Sequence, residues 1–146
     1  PEIADPLCDL AMGQTAEVLS REFKVTREEQ DAFALESQKR ASKAIKDGFF
    51  KDEIVPLPLP GKFTNVQTID DGPRDTQTLE ALQKLKPAFD KLTGSVTAGN
   101  SSPLTDGAAA LLLMKESKAK ELGLKPLGYI KAHAVSALAP NKMGLG

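Results

Sequence analysis

The chain has 146 residues, of which 40% are hydrophobic and 27% are charged, and its formal net charge is −1. This composition is ordinary for a globular protein and gives no electrostatic reason to expect nucleic acid or an anionic membrane as a partner. No apolar run approaches the roughly 20 residues that a membrane-spanning helix needs. A single cysteine excludes an internal disulfide. The chain begins at proline and ends in the turn-like sequence APNKMGLG, so we expect it to be part of a longer protein.

The first third of the chain predicts two helices. Apolar residues recur at helical spacing over residues 15–23. Thr26 and Glu29 then form a capping-box pattern, which predicts a helix over residues 27–47. Gly48 stands where a left-handed residue would end that helix. The half-apolar stripe of the second helix consists of Ala34, Gln38, Ala41 and Ile45.

The middle of the chain predicts extended and looped structure. Residues 49–61 interleave apolar residues with three prolines. Because proline has no backbone N–H to donate to a neighbouring strand, this segment is predicted to be an edge strand or an extended arm. Residues 61–77 are polar and rich in turn formers, and they predict a surface loop. Thr78 is a candidate N-cap for a short helix that Pro87 stops.

The segment 94–114, GSVTAGNSSPLTDGAAALLLM, predicts a strand at 95–97, a turn of small and polar residues, and a buried strand at 108–114. A charged helix over 116–122, capped by Gly123, and a strand at 128–135 follow. The predicted class is therefore α/β: a mainly helical, proline-looped module to about residue 90, then strand, turn, strand, helix and strand.

Residues with catalytic or metal-binding potential are few. Cys8 is a candidate nucleophile, but no histidine or glycine-rich anion cradle is near it, and a packed structural role is the alternative. His133, the single histidine, lies on a predicted strand between alanines, where a structural role competes with a catalytic one. No cysteine pair, second histidine or acidic cluster at ligand spacing indicates a metal site. Neither nucleotide fingerprint, GxGxxG nor GxxxxGK[ST], occurs.

Several residues suit ligand binding. Arg74 lies in a predicted loop where a guanidinium could clamp a phosphate or stack on a purine. Ser101, Ser102 and the amides around Gly99 offer short-range donors, and Phe89 offers an aromatic wall. Each also has an ordinary alternative: a surface arginine, turn serines and a core phenylalanine.

The segment 94–114 resembles the part of thiolases that closes the first half of their fold, and other blocks resemble the same family in the same order. NSSPLTDG and the terminal MGLG are most similar to the degradative branch, the 3-ketoacyl-CoA thiolases. The biosynthetic acetoacetyl-CoA branch is the nearest alternative within the family. The blocks are AMGQTAEVL (11–19), REEQDAFALESQKRA (27–41), EIVP (53–56), LEALQKLKPAFDK (79–91) and KAKELGLKPLGYIKA (118–132).

The resemblance implies a parent acyltransferase of fatty-acid oxidation that cleaves 3-ketoacyl-CoA with CoA to give acetyl-CoA and an acyl-CoA shortened by two carbons. The family uses an acylated cysteine and residues of GHP, CxGGG and NEAF motifs, and none of these four elements is present. No catalytic role is therefore carried onto Cys8 or His133, and the chain alone is expected to be inactive. The resemblance implies coenzyme A as substrate, no cofactor and a dimeric or tetrameric parent. It implies a cytoplasmic location in bacteria, or a mitochondrial or peroxisomal one in eukaryotes.

The resemblance also implies a coenzyme A site and a domain division. Ala11 replaces a histidine of the biosynthetic branch, and Ala81 replaces a serine that touches CoA there. Residues 1–92 correspond to the CoA-covering loop domain, 93–123 to the end of the N-terminal half and 124–146 to the start of the C-terminal half. The implied CoA-binding residues are Met12, Arg74, Phe89, Ala98 and Ser102.

Two other functional classes remain open on the sequence. One is a non-catalytic oligomerisation or partner-docking module derived from the loop domain. The other is a stand-alone thiolase-like protein that has lost its catalytic halves, which the length of the encoding reading frame would test.

Overall fold

The computed structural model describes residues 3–61 and 64–146. Lys62 and Phe63, which belong to the predicted loop 61–77, lie outside the described residues. Helices dominate the first half, and the paired strands are four short segments. In chain order the elements are β1 (Ala4–Asp5), β2 (Leu10–Ala11), α1 (Met12–Phe23), α2 (Arg27–Lys46), β3 (Leu57–Pro58), β4 (Val66–Gln67), α3 (Leu79–Gln83), α4 (Glu116–Glu121) and a 3₁₀ helix (Pro140–Leu145).

The second helix has the boundaries that its local sequence predicts. The Glu29 N–H donates to the Thr26 hydroxyl at 3.2 Å, and the Glu29 carboxylate accepts the Thr26 N–H at 2.8 Å. This reciprocal pair satisfies two amide donors that the first turn would otherwise leave without partners. At the other end Gly48 has φ +73°, as a left-handed cap requires. The predicted capping box and cap of α2 are both confirmed.

The short helices also follow their local caps. The Thr78 hydroxyl accepts the Ala81 N–H at 3.2 Å, which confirms Thr78 as the N-cap of α3. Gly123 has φ +67° just after α4, as predicted. The final 3₁₀ helix packs against α1, where Gly144 approaches Leu19 so closely that an added Cβ would lie 2.9 Å from its Cδ1.

The strand pairs are antiparallel and only two residues long. Ala4 pairs with Ala11 in β1–β2, and Leu57 pairs with Gln67 in β3–β4. The second pair confirms the proline-interrupted segment as an edge strand. It corrects the prediction for residues 61–77, because β4 lies inside the expected loop.

The segments 95–97, 108–114 and 128–135, which are predicted as strands, form no ladder among the described residues and are not strands in this structure. The prediction that 108–114 is buried is also wrong, because the whole segment is exposed. A short run of apolar residues is typical of a buried strand. A strand forms, however, only where a neighbouring segment of chain can hydrogen-bond its N–H and C=O groups. The described part of the chain provides no such neighbour here.

The core is small for a chain of this length. Only eight of the described residues are buried: Ala11, Leu82, Val96, Ala119, Thr15, Glu17, Asp31 and Thr97. The accessible surface is 12579 Å², whereas a self-contained folded chain of 15.6 kDa exposes roughly 7,000 Å². The chain therefore buries a smaller share of its surface than a self-contained domain of the same mass does. None of the helices among the described residues is long and apolar enough to cross a membrane.

Candidate functional site

The loop of residues 95–102 is held by a buried carboxylate of α1. Glu17 is 3% exposed, and its Oε1 accepts the N–H groups of Ser95 at 2.9 Å and Val96 at 2.8 Å. Its Oε2 accepts the Ser95 N–H at 3.1 Å and the Ser95 hydroxyl at 3.3 Å. Hydrogen bonds to an ionised acceptor are roughly twice as strong as neutral ones. The start of the loop is therefore fixed to α1.

The other end of the loop closes on itself through Asn100 and Thr97. Asn100 Oδ1 accepts the Thr97 N–H at 2.7 Å, and Thr97 Oγ1 accepts the N–H groups of Gly99 at 3.2 Å and Asn100 at 3.3 Å. Asn100 Nδ2 donates to the Ser95 carbonyl at 3.0 Å. Between residues 95 and 100, the Ala98 N–H alone has no acceptor among the described residues. Ala98 itself is exposed.

A second buried carboxylate connects this loop to α2. Asp31 is fully buried, and its Oδ1 accepts a hydrogen bond from Asn100 Nδ2 at 3.1 Å. Its Oδ2 accepts from Arg27 Nε at 2.8 Å. The same guanidinium donates through Nη2 to the carbonyls of Leu82 at 2.8 Å and Leu85 at 3.0 Å. Arg27 therefore connects α2 to α3, and Asp31 connects α2 to the loop.

A side-chain cluster of Ser20, Gln30 and Ser95 completes the support. Gln30 Nε2 lies 3.1 Å from the Ser20 hydroxyl and 2.9 Å from the Ser95 hydroxyl, and the two hydroxyls are 3.0 Å apart. Because α1, α2 and the loop each supply one member, the cluster constrains all three elements together. A part-buried polar network of this kind favours one arrangement when its members are satisfied.

Phe89 lies against the first turn of α1, beside Met12. A Cβ added at Gly13 would lie 1.9 Å from Phe89 Cε2, so only glycine permits this approach. The Ala88 N–H donates to the Val96 carbonyl at 2.9 Å, which connects the Phe89 segment to the loop. The structure therefore brings the Met12 and Phe89 segments together next to the loop that carries Ala98.

The other two predicted residues lie beside a cleft of about 710 Å³ between α2, residues 69–73 and residues 103–106. Pro73 and Pro103 line this cleft. Arg74 and Ser102 are their neighbours in the sequence, but neither of them lines it. The exposed Arg74 is placed by its N–H, which donates to Gln38 Oε1 at 2.7 Å. Its guanidinium makes no ion pair among the described residues. The cleft wall carries the carboxylates of Asp70, Asp71 and Asp106, which disfavour a phosphate inside it.

Asp90 organises the turn that leads into the loop. Its carboxylate accepts the Thr93 hydroxyl at 2.6 Å and the N–H groups of Leu92 and Thr93 at 3.1 Å each, and it pairs with the Arg21 guanidinium. The Thr93 hydroxyl bond, these two amide bonds and the nearby Arg21 charge lower the pKa of Asp90 to about 2. The turn is therefore held by a carboxylate that stays ionised over most of the pH range.

Cys8 and His133 stand apart from this loop. Cys8 is half-buried in the turn between β1 and β2, and His133 is exposed. No group of three or more His, Cys, Asp or Glu residues that could hold a metal ion occurs in residues 3–61 and 64–146.

The two buried carboxylates were not predicted from the sequence, where charged helix residues suggest a solvated face. One sequence feature points to Asp31: it lies three residues before Ala34 and so continues the half-apolar stripe of α2. A charge at such a position indicates a buried, paired group. No comparable feature marks Glu17.

Comparison with known proteins places these features in a family. The family model described as the thiolase N-terminal domain matches residues 1–117. The 3-ketoacyl-CoA thiolase of Photobacterium profundum is 49% identical over 94% of this chain, and that of Yersinia enterocolitica is 47% identical over the same share. The chain spans 31% of the length of each of these relatives.

Solved structures agree with this comparison. The structure of a Bacillus anthracis acetyl-CoA acetyltransferase is 49% identical in sequence and has a TM-score of 0.94. The match covers 98% of this chain and 36% of the acetyltransferase chain. The human mitochondrial 3-ketoacyl-CoA thiolase in complex with CoA is 40% identical and has a TM-score of 0.89. That match covers 98% of this chain and 35% of the human chain. The predicted α/β class and thiolase-like fold are thereby confirmed. Because the family model covers well over half of its residues, the chain belongs to the thiolase family.

Proposed function

We propose that this chain supplies the coenzyme A side of a thiolase whose complete form cleaves 3-ketoacyl-CoA in fatty-acid oxidation. The observation that carries the proposal is the TM-score of 0.89 with a thiolase that was solved with CoA bound, over 98% of this chain. In this reaction a cysteine thiolate of the complete enzyme attacks the 3-keto carbonyl, the C2–C3 bond breaks and acetyl-CoA leaves, and free CoA then takes the shortened acyl group from the cysteine thioester. The segment's part is to hold the CoA moiety.

The proposed contact residues fall into two groups. Met12, Phe89 and Ala98 lie on or beside the loop of residues 95–102, where small side chains and a free amide suit the pantetheine chain. Ser102 ends the same loop, beside the acidic cleft, and is proposed with Ala98 to contact the pantetheine chain. Arg74 also lies outside that cleft, and its exposed guanidinium suits the nucleotide end of CoA. Support for this arrangement is the packing of the Phe89 ring against Gly13 and the rigid loop beside it.

We further propose that the chain on its own does not catalyse the reaction. Its single cysteine and single histidine lie in separate settings, one half-buried and one exposed, and the family's catalytic motifs are missing from the sequence. The proposed division is a CoA-covering loop domain at 1–92, the end of the N-terminal half at 93–123 and the start of the C-terminal half at 124–146. We propose CoA as substrate without a further cofactor.

Calorimetric titration of the chain with CoA tests this proposal. We expect saturable binding that weakens by about tenfold in Arg74→Ala, since one charge-assisted contact is worth about 1.4 kcal/mol. Arg40→Ala is the matched control, because Arg40 is an exposed arginine of α2 whose partner is Glu36. No heat at millimolar CoA, or an equal loss in both variants, would contradict the proposal.

The exposed apolar surface favours a second candidate, a non-catalytic oligomerisation or docking module. Residues 111–113 are leucines with 71–86% of their surface exposed, and exposed apolar patches of this kind mark interaction sites. The same titration separates the candidates, because a docking module has no reason to bind CoA. Within the family, the biosynthetic acetoacetyl-CoA branch is the alternative to the degradative one. We propose a homo-oligomeric parent in either case.

A further inference from the structure

The buried carboxylates of Glu17 and Asp31 come from different helices and reach the same loop. Glu17 on α1 is 3% exposed and Asp31 on α2 is 0% exposed. Burying a carboxylate is costly unless hydrogen bonds and charges compensate it. Among the residues that the structure describes, Glu17 receives that compensation from the loop alone, whereas Asp31 receives it from Arg27 of α2 and from Asn100 of the loop. The burial of each carboxylate and the conformation of the loop therefore depend on each other.

Glu17 acts on the first two residues of the loop. Among the described residues it has no cationic partner, and its hydrogen bonds come from the Ser95 and Val96 amides and the Ser95 hydroxyl. A carboxylate can accept all of these at once because it offers acceptors on both oxygens. A glutamine would turn one of those oxygens into an NH₂ donor facing the Ser95 N–H.

Asp31 acts on the far end of the loop through Asn100. One oxygen is held by Arg27 at 2.8 Å, and the other receives the Asn100 amide at 3.1 Å. The orientation of the Asn100 side chain then decides whether its Oδ1 meets the Thr97 N–H. Asp31 therefore fixes the turn that presents Ala98.

Gly94 shows how closely α1 and the loop approach. A Cβ at this position would lie 2.6 Å from Glu17 Oε1 and 2.4 Å from the Asp90 carbonyl oxygen. The second of these atoms belongs to the backbone and cannot rotate away. The glycine is thus needed for the Glu17 carboxylate to reach the loop amides.

We propose that Glu17 and Asp31 are positioning residues for coenzyme A binding. They hold the two ends of the 95–100 segment from α1 and α2, and so set where the exposed Ala98 and the following Ser102 meet the ligand. Neither carboxylate is exposed enough to touch CoA itself. This inference rests on the proposed function of the chain as the CoA side of a thiolase.

Glu17→Gln tests the first half of the proposal with two measurements on the 146-residue chain. Amide hydrogen exchange at Ser95 and Val96 is expected to accelerate by about tenfold, because a charge-assisted acceptor becomes a weaker, partly mismatched one. The dissociation constant for CoA is expected to rise by about tenfold. Glu36→Gln makes the same chemical change on the exposed face of α2 and should alter neither quantity.

A loss of stability alone must not be mistaken for this effect. Thr26→Ala removes the N-cap of α2, which does not touch the loop, and serves as a control that lowers stability without moving residues 95–102. Affinity for CoA in Thr26→Ala should stay within a factor of about two of the unmodified chain, measured well below its unfolding midpoint.

Asn100→Asp tests the second half, and it remains informative if Glu17→Gln fails to fold. It places a carboxylate oxygen against Asp31 and the Ser95 carbonyl while keeping the acceptor for Thr97, so CoA affinity should fall. Adding Asp31→Asn restores a donor between the two positions and should recover part of the affinity. Partial recovery supports the positioning role, and a double variant weaker than Asn100→Asp contradicts it.

The outcomes separate this inference from the proposed function. If the unmodified chain does not bind CoA, the proposed function fails and the positioning role falls with it. If it binds CoA and Glu17→Gln binds equally well, the positioning role alone is overturned. Unchanged exchange at Ser95 and Val96 in Glu17→Gln would also overturn it.

Discussion

The contact between Gly13 and Phe89 gives the sharpest test of the packing beside the loop. In Gly13→Ala the new Cβ would lie 1.9 Å from Phe89 Cε2, 2.1 Å from Cζ and 2.2 Å from Cδ2, whereas carbon atoms in contact are separated by about 3.5–4.0 Å. The ring must therefore leave its present position. Only glycine fits this position, because the ring occupies the space that a side chain would need.

The expected cost combines two opposing effects. Overpacking costs about 1–3 kcal/mol, and replacing a helical glycine by alanine returns roughly 0.5–1 kcal/mol. We therefore expect the free energy of unfolding of Gly13→Ala to fall by about 1–2 kcal/mol, measured by urea unfolding followed by circular dichroism. Gly107→Ala is the matched control, because no atom lies within 4 Å of its added Cβ. It should change stability by less than about 0.5 kcal/mol.

A double-mutant cycle isolates the contact. Phe89→Ala removes the obstructing ring, so in that background Gly13→Ala should become neutral or stabilising by up to about 1 kcal/mol. The coupling free energy is then about 2 kcal/mol. If Gly13→Ala destabilises equally in both backgrounds, the ring is not the cause and the reasoning is refuted.

Three further predictions concern the rest of the chain. Thr26→Ala should lower the free energy of unfolding by about 1 kcal/mol through loss of the α2 N-cap, and an unchanged urea midpoint would contradict this. The pKa of Asp90 is lowered to about 2, so its contribution to stability should be complete above about pH 4 and lost as the pH falls toward 2. The chemical shift of the Asp90 carboxyl should titrate with a midpoint near pH 2. A titration midpoint near pH 4 would contradict the hydrogen bonds that hold this turn. The chain should self-associate through its exposed leucines 111–113, and Leu112→Lys should reduce the association. A monomeric, monodisperse species in light scattering would contradict that.

Local chemistry explains why some elements could be predicted from the sequence. Thr26 and Glu29 lie three residues apart and bond to each other's backbone, so their pattern alone fixes the start of α2. Gly48 and Gly123 have left-handed conformations that a glycine adopts without strain. These features need no information from distant parts of the chain, and the structure bears all of them out.

Features that depend on distant partners could not be predicted in the same way. The apolar run 108–114 suits a sheet, yet no ladder partner occurs among the described residues. Glu17 contacts amides nearly eighty residues away along the chain, and its sequence context is that of a solvated helix residue. The resemblance to thiolases supplied the candidate residues Met12, Arg74, Phe89, Ala98 and Ser102, but it did not supply the network that supports the loop.

The central claim is that residues 95–102 and their neighbours form a wall of a coenzyme A site. The most direct measurement is nuclear magnetic resonance of the isotope-labelled chain during titration with CoA. The account predicts saturable shifts concentrated at the amides of Met12, Arg74, Phe89, Ala98 and Ser102, with Ala98 among the largest. Shifts confined to the apolar groove of residues 110–114 and 124–130, or no shifts at millimolar CoA, would contradict it.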